Sequence, residues 1–104
     1  MMDDKAYEIQ AEYFKALSHP TRIKIVQYLK KGERCVCEIA PYLREEQSNV
    51  SRHLAALKRV GILSCRKEGV SVYCKIEDEN IYKIFDLALS SVKKTARGKV
   101  AILS

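Results

Sequence analysis

One stretch of the chain, "ILSCRKEGVSVYCKI" (residues 62–76), abandons helical spacing for alternation, with Val70, Val72, Cys74 and Ile76 on one face and Ser71, Tyr73 and Lys75 on the other. Broken at "KEGV", it is long enough for one β-hairpin and no larger sheet, so the core must be built mainly from helices. The flanking sequence supplies them. "DDKAYEIQAEYFKALS" carries Ile9, Tyr13, Ala16 and Leu17 at helical spacing and stops at "SHP", where Pro20 breaks one helix and opens the next. "PTRIKIVQYLKKG" repeats the pattern through Ile23, Val26, Tyr28 and Leu29 and ends at Gly32. "CVCEIAPYLR" predicts a short third helix that tolerates Pro41 only near an end or at a kink. Ser48 is the predicted N-cap of a fourth helix, "NVSRHLAALKRVG", with Val50, Leu54, Leu57 and Val60 as its buried stripe. After the hairpin, Ile81, Ile84, Phe85, Ala88, Leu89 and Val92 form the apolar stripe of a last helix.

Short helix, turn, longer helix is a helix-turn-helix, and the hairpin behind it is a wing. The order α-α-α-α-β-β-α therefore predicts a mainly α chain with a small β-hairpin (α+β), a winged helix-turn-helix. One domain spans 1–104, with 95–104 as a fraying tail. No apolar run approaches the roughly 18 residues of a membrane span, and "MMDDKAYEIQ" lacks the apolar stretch of a signal peptide. The expectation is a cytoplasmic protein with no membrane partner, whose four cysteines are thiols, metal ligands or redox switches rather than structural disulfides. Nineteen Lys and Arg against 13 Asp and Glu give +6 per chain, which favours a polyanionic partner. There is no Gly-rich phosphate loop, paired-carboxylate site or nucleophile beside a base, so neither an enzyme nor an organic cofactor is expected.

The fourth helix offers Gln47, Ser48, Asn49, Ser51, Arg52 and His53 near its N-terminal end, side chains that donate and accept at base edges. In the wing, Arg66 and Lys67, with Lys75, are placed to meet phosphates. The alternatives are an ordinary solvated polar face and an ordinary charged hairpin tip. "GERCVCEIA" poses a separate question, because a regular helix turns residues i and i+2 about 200° apart. Cys35 and Cys37 can share an ion only where the backbone leaves helical geometry, since in an extended segment both project to one side. A helix start also lowers a thiol's pKa. The bland alternative is two small apolar side chains. A turn at Glu68 and Gly69 would place Cys65 opposite Val72 and Cys74 opposite Leu63, so that the two sulfurs sit diagonally on one face, and a one-residue slip would separate them. These thiols then fill the core beneath the wing, form a reversible disulfide, or complete the site begun by Cys35 and Cys37.

Taken together, "HPTRIKIVQYL", "GERCVCEIA", "SNVSRHLAALKRVGIL" and "RKEGVSVYCKI" resemble, in that order, the ArsR/SmtB family of metal-responsive repressors over roughly residues 10–95. The resemblance implies a homodimer built through its first and last helices, with two winged units in successive major grooves of double-stranded operator DNA. It also implies release when a thiophilic ion binds. "ERCVCEI" resembles the motif with which one branch of the family binds arsenite, antimonite, cadmium or lead, which assigns the metal to Cys35 and Cys37. Three departures qualify the resemblance. The third cysteine of the arsenite-binding version is Ala40 here, residues 1–31 hold none of the N-terminal cysteines of the cadmium and lead version, and the zinc positions of the last helix read Asp78, Asn80, Ser91 and Lys94. Two sulfurs alone suit low-coordinate Hg(II) or Cu(I). The expected inducer is thus a thiophilic ion, with arsenite or antimonite favoured and Cd, Pb or Hg as the others. The competing expectations are a repressor switched by a disulfide of Cys35/Cys37 or Cys65/Cys74, and a DNA-binding protein without inducer. His19 resembles the family's "HPTR" helix junction, a capping or packing position.

Overall fold

Two N-caps set the first two helices. A computed structural model describes residues 3–103, and in it α1 (Asp4–Leu17) begins where the Asp3 carboxylate accepts the Ala6 N–H at 2.9 Å. The helix α2 (Pro20–Tyr28) begins where His19 Nδ1 accepts the Thr21 N–H at 3.2 Å, with Pro20 in the first-turn position that needs no N–H donor. His19 is therefore a cap, as its place in "HPTR" implied. A 3₁₀ turn (Leu29–Lys31) leads through Gly32, whose φ of +141° an L side chain rarely adopts, to β1 (Arg34–Cys35) and α3 (Val36–Leu43). Pro41 lies in the last turn of α3, and Arg44 in the left-handed region (φ 56°) ends that helix. The longer helix α4 (Gln47–Arg59) follows. Its first residue is Gln47, flanked by extended Glu46, so Ser48 lies inside the helix rather than at its predicted cap.

The strands β2 (Leu63–Glu68) and β3 (Ser71–Ile76) form the hairpin, and β1 adds to the far side of β3 to give a three-stranded antiparallel sheet in the order β1-β3-β2. A strand of two residues is too short to alternate, which is why the sequence predicts only a two-stranded wing. The turn also differs by one residue. Gly69 and Val70 occupy it, Gly69 with φ +63° and Val70 with no positive φ, the arrangement of a type II′ turn. Val70 is fully exposed instead of facing inward, and Glu68 pairs with Ser71. Moving the turn along shifts both strands, and it brings Cys65 directly opposite Cys74. The expected facing pairs, Cys65 with Val72 and Cys74 with Leu63, do not form, and the two sulfurs are opposed rather than diagonal.

After β3 come α5 (Asn80–Val92) and α6 (Ala96–Leu103). The tail predicted to fray is helical over the second of these; Ser104 lies outside the described residues. Thr95 starts it, its hydroxyl accepting the Gly98 N–H at 2.9 Å in the manner of an N-cap. Among the described residues no helix is long and apolar enough to cross a membrane.

One core joins these elements. Ile25 and Val26 of α2, Ile39 of α3, Val50, Leu54 and Leu57 of α4, Leu63 and Cys74 of the hairpin and Ile81 of α5 are all buried in it. The predicted stripes on α1 and α5 fare differently. Ala16, Leu17 and Ile81 are buried, but Ile9, Leu89 and Val92 are 57%, 44% and 48% exposed in the single chain, beside exposed Tyr7, Phe14 and Leu87. On α2 Ile25 is buried beside Val26, whereas Ile23 faces outward. Tyr82 anchors α5: its hydroxyl donates to the Val26 carbonyl of α2 at 2.7 Å, and burial, with Glu79 adding, pushes its pKa up to about 12. Replacing Tyr82 by Phe keeps the ring and removes that buried hydrogen bond, so the urea midpoint should fall by the equivalent of about 1–2 kcal/mol with an unchanged m-value.

Candidate nucleic-acid interface and thiol sites

The HTH face is set by how α4 sits. Val50, Leu54 and Leu57 turn into the core, which leaves Gln47, Ser48, Ser51 and Arg52 exposed along the opposite side of its first half. Arg52 donates to the Asn49 amide oxygen in a short contact one turn back, so these two act as one polar unit. His53 is placed differently from the expectation. It is half-buried, its ring 4.5 Å from that of His19, and its Nδ1 accepts the Arg22 Nε–H at 3.1 Å. Arg22 also donates to the Ala16 carbonyl at 3.3 Å, so one guanidinium ties α1, α2 and α4 together. His19, Arg22, Asn49, Arg52 and His53 line a basic cavity of about 340 Å³ at the α2–α4 corner. Residue-by-residue reading of α4 missed Arg22, although the "HPTR" junction placed it one turn into a helix.

Burial lowers the His53 pKa first, and the positive charges of His19, Arg22 and Arg52 add to this, against an opposing pull from Glu45. A folded pKa below the unfolded value means the unfolded chain binds the extra proton. The associated stability is thus present above the unfolded imidazole pKa of about 6.5 and is lost as pH falls through the folded value. In a ¹H–¹³C NMR titration the His53 ring should titrate below the free-imidazole range, and Arg22→Ala should move its midpoint upward.

In the wing, Lys67 is exposed, but Arg66 is engaged. Its guanidinium grips Glu33, just before β1, with Nη2 to Oε1 at 2.7 Å and Nε to Oε2 at 3.3 Å. It also touches the Glu68 carboxylate and lies 4.8 Å over the Tyr73 ring. The pair holds the Glu33 carboxyl below its ordinary pKa and raises that of Arg66. Lys75 is exposed on the outer face.

The first thiol pair straddles the junction of β1 and α3. Cys35 has extended backbone (φ −71°, ψ 144°) and is the N-cap of α3, its sulfur accepting the Cys37 N–H at 3.1 Å. Glu38 answers by accepting the Cys35 N–H at 3.2 Å, a capping box with sulfur in the hydroxyl's role. The backbone thus leaves the helix at Cys35, which brings two sulfurs that a regular helix would separate to bonding distance. Cys35 and Cys37 are joined as a disulfide, Cα atoms 5.0 Å apart, with Cys35 buried and Cys37 exposed. The second disulfide joins Cys65 and Cys74. The two pairs do not merge. Cys35 aligns with Tyr73 and Cys74 with Arg34, so the cysteines of the two pairs occupy rows on opposite faces of the sheet. Among the described residues no group of three or more His, Cys, Asp or Glu gathers in metal-binding geometry, so neither wing sulfur completes the Cys35/Cys37 site within one chain.

A family model described as bacterial regulatory protein, arsR family, matches residues 19–64, from the α2 cap to the start of the wing. A cadmium resistance transcriptional regulatory protein, CadC homolog, of Staphylococcus aureus is 39% identical over 87 residues, which are 83% of this chain and 72% of the relative. The chain belongs to the arsR family. An HTH-type transcriptional regulator of Methanocaldococcus jannaschii is 42% identical over 78% of this chain and 92% of its own length. A solution structure described as the homodimeric winged helix-turn-helix DNA-binding domain of a Mycobacterium bovis protein, 31% identical, superposes with a TM-score of 0.76 over 90% of this chain and 89% of that one. This arsR-family chain is therefore a winged-helix transcriptional regulator and not an enzyme, and α4 corresponds to the helix that such folds lay in the major groove.

Proposed function

We propose that this regulator represses transcription by binding double-stranded operator DNA as a homodimer and lets go when a thiophilic ion binds Cys35 and Cys37. The observation that carries the reading is the place of the thiol pair: the sulfur that caps α3, the first helix of the helix-turn-helix, lies at bonding distance from the second sulfur, so an ion taken by both would act on the cap itself. In the disulfide form the Cys35 sulfur already accepts the Cys37 N–H, and reduction leaves that sulfur on the same extended backbone as the cap. An ion that draws both sulfurs to itself withdraws that acceptor and pulls on the end of a helix packed against α4. Base contacts fall to Gln47, Ser48, Asn49, Ser51 and Arg52, with His53 positioning Arg22 at the corner; Lys67 meets phosphate first, and Arg66 does so by leaving Glu33. The exposed apolar residues of α1 and α5, Ile9, Phe14, Leu87 and Leu89 among them, make the dimer face, in keeping with the homodimeric relative.

Two sulfurs in one chain suit a two-coordinate ion such as Hg(II), whereas arsenite, antimonite, cadmium or lead takes its third donor from a small thiol or from the partner protomer. The S. aureus relative is described as a cadmium resistance regulator, which keeps cadmium in the set. A second reading has a specific observation behind it: the disulfide between Cys35 and Cys37 makes oxidation an alternative way of engaging the same sulfurs.

Fluorescence anisotropy of an operator fragment with reduced protein, titrated with arsenite, cadmium, Hg(II) and a mild oxidant, tests the proposal. Release by an ion at about one equivalent per site is expected, and release by oxidant alone would transfer the function to the second reading. In the same assay, raising salt from 50 to 200 mM should weaken binding about 10³-fold for some six phosphate contacts, and a flat response would remove the basic face from the interface.

A further inference from the structure

The wing thiols have no part in the release described above, yet their geometry is specific. Cys65 and Cys74 are direct cross-strand partners with Cα atoms 4.1 Å apart, the close spacing of a non-hydrogen-bonded antiparallel pair, where facing side chains stand nearest. Their access differs. Cys74 is fully buried in the core, whereas Cys65 is half-buried and lines a cavity of about 200 Å³ between α4 and the wing, with Ser51, Leu54, Ala55 and Val72. A small polar oxidant entering there meets the Cys65 sulfur first and finds the Cys74 sulfur directly behind it.

We propose that Cys65 and Cys74 are a peroxide-modified site that locks the wing, independent of Cys35 and Cys37. The Cys65 thiolate attacks the O–O bond of hydrogen peroxide, keeps one oxygen as a sulfenic acid and releases hydroxide, which takes up a proton to become water. The Cys74 sulfur then displaces that oxygen as a second water and forms the S–S bond. Two thiols have lost two electrons and two protons, and one peroxide has become two waters. A dithiol reductant reverses the change by exchange and is itself left as a disulfide.

The consequence follows from position. Arg66 and Lys67 come immediately after Cys65, so the bond fixes the strand separation at the root of the wing's basic half. Opened, the sulfurs must part to van der Waals distance, and the cavity beside Cys65 gives its sulfur room to do so. The locked wing has less freedom to lose on docking, so the oxidised wing grips the operator more tightly. The bond stands apart from the DNA-binding reading; the tightening rests on it.

The test uses the whole protein, reduced with a dithiol, desalted, treated with hydrogen peroxide, alkylated and digested with trypsin without reduction. Cleavage after Arg59, Arg66, Lys67 and Lys75 makes the wing bond a linked pair of peptides, 60–66 with 68–75, while Cys35 and Cys37 stay together in peptide 35–44. The linked pair should dominate, disappear with dithiothreitol and be absent in Cys65→Ser and Cys65→Ala. Its failure to form at any peroxide dose that oxidises peptide 35–44 overturns the site. In operator anisotropy the oxidised protein should bind at least threefold tighter than the reduced protein, relative to the same comparison in Cys65→Ser. Equal ratios with the link present overturn the lock. No operator binding by either form would overturn the DNA-binding reading and the lock with it, with the peptide map still deciding the site.

Discussion

With Cys35→Ser and Cys37→Ser combined, operator binding should survive within a few-fold while release by arsenite, cadmium or Hg(II) disappears, the half-release concentration rising at least 100-fold. The argument lies in the difference between two jobs done by one atom. As a cap, the Cys35 sulfur needs only to accept the residue-37 N–H, and a serine hydroxyl is a preferred acceptor in that position. Glu38 still accepts the residue-35 N–H, so the capping box and the start of α3 persist. As a ligand, the same atom must be a soft thiolate, which a hydroxyl is not. Burying a hydroxyl where Cys35 is 2% exposed costs stability of about 1 kcal/mol or less while its cap bond is made, and circular dichroism would register a larger loss. Release that persists in the double variant places the ion elsewhere. Lost operator binding with an intact fold would show that the pair serves the DNA complex itself and not its regulation.

The second large effect is on the fold. Leu57→Ala should destabilise the protein by about 2–5 kcal/mol, a large part of the roughly 5–15 kcal/mol that holds a domain of this size together. Leu57 is fully buried on the inner side of α4, in the same cluster as residues from α2, α3, the hairpin and α5, so no single neighbour can relax into the space. The melting temperature should drop by at least 8 °C, and operator affinity should fall only as the folded fraction falls. Ser51→Ala on the opposite side of the same helix should do the reverse, sparing stability and weakening the operator. A Leu57→Ala protein as stable as the parent would mean that α4 is not seated as described.

How far the sequence could be read depended on which interactions are local. Pro20, Gly32 and the Val50, Leu54, Leu57 stripe act on their own segment, and the helices they delimit are where their spacing placed them. The misses depend on contacts across the chain. Nothing within "RC" says that Arg34 and Cys35 will pair with β3, since a two-residue strand owes its existence to its partner. The hairpin register turned on whether Gly69 took the first or second place in the turn, and that choice decides whether Cys65 meets Val72 or Cys74. Spacing alone put His53 with the exposed polar residues of α4; the guanidinium of Arg22, 31 positions earlier, holds it at the α2 corner instead. For Cys35 and Cys37 the break from helical geometry was legible, because sulfurs two apart can meet only where the backbone is extended, but the sulfur's service as the cap was not.

The sheet order β1-β3-β2 leaves the whole outer side of β2 without a strand beside it. Such an edge invites a second chain to add its own strand and seed aggregation. Here the invitation is withdrawn in two ways along one strand. The first half, from Leu63 to Cys65, is buried or half-buried beside α4, and the second half, Arg66, Lys67 and Glu68, is charged at every position. The β2 edge therefore offers no exposed apolar strand for another copy to extend, which leaves the pairing proposed above to the exposed apolar residues of α1 and α5.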